Sequence, residues 1–148
     1  MDLRNRVGAA MLVCGAAFTG LSVAAAGELA SAATDSKVAS PEAVVDAQLV
    51  AYNKRDLDAF LSYYADDAVL AKHPDQVTQT GKAEMRARYQ RGFSNPNVRA
   101  EILKRVVFGR FVIDHERVTA PPAKGELEAV AVYEVKDGKI VRVTFLDK

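Results

Sequence analysis

The second half of the chain constrains the fold most. Four runs of β character occupy residues 98–108, 110–119, 126–136 and 139–146, parted by Gly109, Pro121-Pro122 and Asp137-Gly138. Asp137-Gly138 between alternating apolar residues is a strong two-residue hairpin signal. Strands this close in sequence pair antiparallel, and upstream of them the pattern is mostly helical. Such an order gives an α+β domain, with helices covering one face of a curved antiparallel sheet.

Ser40-Pro41-Glu42 supplies an N-cap, a first-turn proline and an early acid. Val44, Val45, Leu49, Val50 and Tyr52 continue at helical spacing to about Asn53, where Asn53-Lys54-Arg55 breaks the pattern. Asp56 is placed to cap a short second helix whose Leu57, Phe60, Leu61 and Tyr64 share a face before Ala65-Asp66-Asp67 turns the chain. A short strand over 68–71, a polar loop over 72–80 containing Pro74, and a third helix over 81–93 ended by Asn95-Pro96 are expected next.

Arg4 and Arg6 precede an uncharged run from Val7 to Ala26, followed by small residues. This is the pattern of a secretory signal peptide, with small-x-small cleavage sites ending at Ala26 and Ala32. The expected organisation is a signal peptide over 1–32, a flexible leader over 33–39 and one domain over 40–148. The protein would then be periplasmic or secreted. Gly8, Gly15 and Gly20 keep the run only mildly hydrophobic, so no stable membrane anchor is expected. Val13 before Cys14 argues against lipid attachment there. Cleavage removes the one cysteine, which excludes thiolate metal sites and a cysteine nucleophile.

The 148 residues carry 20 Lys and Arg against 19 Asp and Glu, and losing Asp2, Arg4, Arg6 and Glu28 leaves the net charge at +1. No basic stripe with interleaved aromatics is present, so nucleic acid is not an expected partner. There is no G-x-S-x-G, phosphate-binding loop or G-x-G-x-x-G.

Asn53-Lys54-Arg55-Asp56-Leu57-Asp58 followed by Tyr64-Ala65-Asp66-Asp67-Ala68 resembles the helix-two signature of the nuclear-transport-factor-2-like superfamily. That superfamily includes ketosteroid isomerase and the SnoaL-like polyketide cyclases. The likeness to ketosteroid isomerase runs from Asn53 to Tyr89 and, more loosely, through Tyr133-Glu134-Val135-Lys136-Asp137-Gly138-Lys139-Ile140. It implies a cone of three N-terminal helices on a curved antiparallel sheet, enclosing one pocket, and a homodimer formed through the sheet. It also implies where a proton-transfer site would lie. The base position falls at Lys72, the oxyanion tyrosine at Gln48 and the oxyanion carboxylic acid near Ala131, so all three identities differ. A lysine ammonium does not accept a proton at neutral pH unless burial lowers its pKa strongly, which disfavours steroid isomerisation by the family mechanism.

What persists is an aromatic lining. Tyr64 and Tyr89 match cavity-facing aromatic positions, and Tyr52 lies one turn after Gln48 on the same helix face. Gln48, Tyr52, Tyr64 and Tyr89 are the candidate ligand-binding residues. His73, beside the base position, is a candidate catalytic base, although its loop has no apolar flank. In Asp114-His115-Glu116 alternate residues face opposite ways. Either Val112, Asp114 and Glu116 line the cavity with two carboxylates, or Phe111, Ile113 and His115 line it with one imidazole. Asp114 and His115 join His73 as catalytic candidates. If the strand's charges face outward instead, Arg110, Asp114, Glu116, Arg117, Glu126, Glu128 and Arg142 would form cross-strand pairs. No histidine spacing supports a metal site, and no cofactor is expected. The expected function is that of a SnoaL-like small-molecule pocket protein. It would be a cofactor-free isomerase, cyclase or hydratase acting on an apolar carbonyl compound, or a non-catalytic ligand-binding or dimeric interaction module.

Overall fold

The computed structural model describes residues 38–119 and 126–147. The uncharged N-terminal run, both cleavage sites, most of the leader and Pro121-Pro122 lie outside the described residues.

Helix α1, Pro41–Lys54, starts where Ser40 Oγ accepts the Ala43 amide at 3.2 Å. Its buried stripe is Val44, Val45, Gln48 and Ala51, one face at helical period. Val50 is turned out to solvent, so the apolar stripe is shifted from the one read in sequence and takes in a glutamine. Asn53 clamps this helix to the sheet, its amide donating to Ala100 O at 2.9 Å and accepting from Ala100 N at 2.8 Å. Helix α2, Leu57–Ser62, is capped by Asp56, whose Oδ1 accepts the Ala59 amide at 3.0 Å. It ends before Tyr64, which opens the next strand.

Strand β1, Tyr64–Lys72, is longer than expected, and Gln76–Thr80 forms a second strand, β2, where a loop was expected. The two pair antiparallel across a short turn. Helix α3, Gly81–Phe93, then leads to β3 (Arg99–Phe108), β4 (Phe111–Thr119), β5 (Glu126–Lys136) and β6 (Lys139–Asp147). Asp137 and Gly138 both take positive φ, at 51° and 72°, which is what the two-residue β5–β6 turn requires.

The six strands run in the order β2-β1-β6-β5-β4-β3, antiparallel throughout except for β1 against β6. The last strand of the meander thus lies beside the first strand of the domain, and parallel pairing closes the sheet. Register shifts at Leu70/Ala71, Ile102/Lys104 and Glu134/Val135 are places where the strands bend. The helices cover the concave face, where Phe60 sits among Tyr52, Tyr64, Tyr89 and Phe93 at ring separations of 4.5–5.9 Å. On the opposite face Arg117 and Glu128 make the expected kind of cross-strand pair, at 3.2 Å. Asp114 and Glu116 do not join them, because both point inward and are buried. No helix among the described residues is long and apolar enough to cross a membrane.

Candidate functional site

Between the helices and the concave face lies a cavity of about 790 Å³. Gln48 and Tyr52 reach it from α1, Tyr64 from β1, Tyr89 from α3, Glu116 from β4 and Tyr133 from β5. Arg88 and the β1–β2 residues Lys72, Thr78 and Gln79 also line its wall. Opposite Glu116 and Asp114 the neighbouring strand carries only the methyl groups of Ala129 and Ala131, which leaves space on the concave side.

Glu116 is the buried carboxyl of this cavity, whose lining also includes the less buried Glu126 and Glu128. Burial pushes its carboxyl up to about 7, the nearby Asp114 carboxylate adds to the rise, and a hydrogen bond with the Tyr133 hydroxyl partly offsets it. A carboxyl balanced near neutrality can both take up and release a proton.

Asp114 shares the face but not the role. It is 1% exposed and is held by a two-pronged contact, Arg105 Nε to Oδ1 and Nη2 to Oδ2, each at 2.7 Å. Arg105 also donates to Asp46 on α1, joining helix and sheet. This geometry depends on the irregularity at Leu103, which has no partner on β4. Ile102 pairs with Glu116, but Lys104 then pairs with the outward His115 and Arg105 with Asp114. Were Leu103 paired in an unbroken register, Lys104 rather than Arg105 would stand opposite Asp114.

The cavity also holds donors. Burial raises the Tyr52 hydroxyl to about 12, and holds those of Tyr64, Tyr89 and Tyr133 well above the ordinary tyrosine range. All four therefore stay protonated at neutral pH. Gln48 is 4% exposed and lines the cavity, and no protein group among the described residues pairs with its amide. A buried amide in that position gains from hydrogen-bonding a ligand.

The structure brings Gln48, Tyr52, Tyr64 and Tyr89 together as the sequence suggested, and it leaves both histidines outside. His73 is exposed in the β1–β2 turn. His115 lies on the outer face, its Nε2 3.6 Å from Glu128, because strand alternation gives the inward positions to its neighbours. Lys72, at the position the resemblance assigns to the base, does line the cavity. Among the described residues no group of three or more His, Cys, Asp or Glu is placed to hold a metal.

Residues 45–143 match the family model of the SnoaL-like domain. The chain belongs to the SnoaL-like domain family. Among solved structures, an uncharacterised cystatin-fold protein from Novosphingobium aromaticivorans is 32% identical, with a TM-score of 0.67 over 72% of this chain and 97% of that one. A nuclear-transport-factor-2-like protein of unknown function from Cytophaga hutchinsonii is 11% identical, with a TM-score of 0.63 over 74% and 90% of the two chains. A Kribbella flavida protein described provisionally as a ketosteroid isomerase is 20% identical, with a TM-score of 0.63 over 73% and 77%. The last two likenesses are of fold. No curated protein matches the chain significantly.

Sequence reading of this SnoaL-like domain set Glu116 beside Asp114 as one of two alternatives but did not select it, and it overlooked Tyr133 and Arg88. The alternation Ala129, Ala131, Tyr133, Val135 was the available signal for Tyr133. For Glu116 there was no equivalent, since β4 is apolar on both faces at Phe111, Val112 and Ile113.

Proposed function

We propose that the domain is a cofactor-independent acid–base enzyme acting on an apolar carbonyl compound, with Glu116 as the group that moves the proton. One observation carries this reading: a buried, protonatable carboxyl poised near neutrality lines the same cavity as Gln48 and four tyrosine hydroxyls that can donate hydrogen bonds. Ionised Glu116 would take a proton from carbon next to the carbonyl. Gln48 and the tyrosine hydroxyls would donate to the oxygen on which negative charge develops. Returning the proton at a second carbon gives isomerisation, and capture of the carbanion by a second carbonyl gives ring closure. The protein works in the cell envelope or outside the cell under this proposal, delivered by its N-terminal signal.

The test is deuterium incorporation into a panel of apolar ketones in heavy water, followed by mass spectrometry. The native protein is expected to label its substrate next to the carbonyl, with a rate that rises through the Glu116 pKa of about 7. Glu116→Gln should lower the rate by roughly 100-fold or more while ligand still binds. Unchanged labelling in that variant would remove Glu116 from the mechanism. Tight binding of a ketone that is never labelled would make the domain a non-catalytic binding module.

A further inference from the structure

Helix α3 carries its cations in two different settings. Lys82 meets Asp66 at 2.8 Å and Arg86 meets Asp58 at 2.6 Å, both on the outside of the domain. Arg88 instead lines the cavity, and among the described residues no carboxylate lies within 4 Å of its guanidinium. Arg88 is itself exposed, and its hydrogen-bond partner among the described residues is the hydroxyl of Tyr89, a neutral group. Tyr52 and Tyr89 both feel the Arg88 charge, and both feel Glu116 in the opposite sense.

The cavity is therefore polar in two different ways, a donor-rich cationic wall and a carboxyl wall, with Phe145 and Leu49 among the apolar lining. A guanidinium offers several N–H donors in a fixed plane, and Tyr89 engages only part of that set. The group that fits such a fork is a carboxylate, and it would be kept clear of Glu116 by like-charge repulsion.

We propose that Arg88 and Tyr89 form an anion subsite, so that the ligand is an apolar carbonyl compound that also bears a carboxylate. This names the substrate class of the site assigned above and rests on that assignment. The anchored carboxylate fixes the register of the ligand and leaves its apolar body between the walls, with its reacting carbon toward Glu116.

Two probes with the same ring system separate the alternatives: 2-naphthoate, which is anionic, and 2-acetonaphthone, a neutral ketone. At about pH 6, where the naphthoate carboxyl is ionised, calorimetric titration should show the anion binding about tenfold more tightly than the ketone, as one charge-assisted contact provides. Arg88→Gln should abolish that preference by weakening the anion far more than the ketone, and Arg88→Lys should retain part of it. Gln is a good helix former at an exposed position, so a circular dichroism melt should match the native protein. An anion bound no more tightly than the ketone, or a preference that survives Arg88→Gln, overturns the subsite. If the ketone still binds and Glu116→Gln still stops labelling, the subsite alone has failed. If neither probe binds, the pocket reading fails with it.

Discussion

Burial and the Asp114 carboxylate act on Glu116 in the same direction, which ties the chemistry of the site to the stability of the domain. The Glu116 pKa is raised from its ordinary 4.5 to about 7 in the folded protein. The folded state therefore holds this proton more tightly than the unfolded chain. Its contribution to stability is complete below pH 4.5 and is lost as pH rises through about 7. The loss amounts to about 3 kcal/mol for a shift of this size. Glu116→Gln has no proton to lose, so the variant should overtake the native protein in urea titrations as pH rises across that window. Equal pH dependence in both would show that Glu116 is not perturbed. Asp114→Asn removes the second cause of the shift and should move the pH midpoint of labelling downward, toward the ordinary carboxylate range. At this scale the sequence was half legible. It identified which side chains share a face of β4, but not which face is inside, because the strand's apolar residues fall on both. The histidines drew attention through their chemistry, whereas placement depends on alternation and on turn position.

Between elements, much of the organisation comes from polar contacts that hydrophobic patterning does not show. Strand β2 escaped detection because its one apolar residue, Val77, is 54% exposed. It is an edge strand held by backbone pairing to β1 and by the Thr78 hydroxyl donating to Leu70 O at 3.1 Å. The helices and the four-strand meander were legible because capping residues and Asp137-Gly138 mark their ends directly. The Leu103 irregularity was not, although it decides whether Lys104 or Arg105 faces Asp114. Arg105→Met leaves Asp114 buried without its counter-charge and removes the link to Asp46 on α1. The Arg105 side chain keeps some access to water, so the expected destabilisation is at the low end for breaking such a pair, about 3 kcal/mol. Adding Asp114→Asn to that variant should recover part of the loss, since the uncompensated charge is then gone. Urea denaturation of the two single variants and the double variant measures the coupling. Additive losses would mean that the pair does not act as a unit.

For the whole molecule, the buried core runs from Val44 to Val143, and the first cap is Ser40. Both expected cleavage sites, after Ala26 and after Ala32, lie upstream of that cap. Either cut would leave intact every contact described for the domain and would remove Cys14 with the expected signal peptide. A chain cut at either site would have no cysteine and would depend on its packed core alone. Protein recovered from the envelope of its own cells is expected to have an intact mass that starts at residue 27 or 33, and its thermal unfolding should be unmoved by a reducing agent. Recovery only with detergent, at the full-length mass, would mean that the uncharged run is retained as an anchor. The domain would then work at a membrane surface, where an apolar carboxylate ligand would reach it from the bilayer rather than from solution. Native mass spectrometry of the same material reports its oligomeric state. A dimer would support pairing through the outer sheet face, and disruption of that dimer by Arg117→Glu, which sets like charge against Glu128, would locate the contact there.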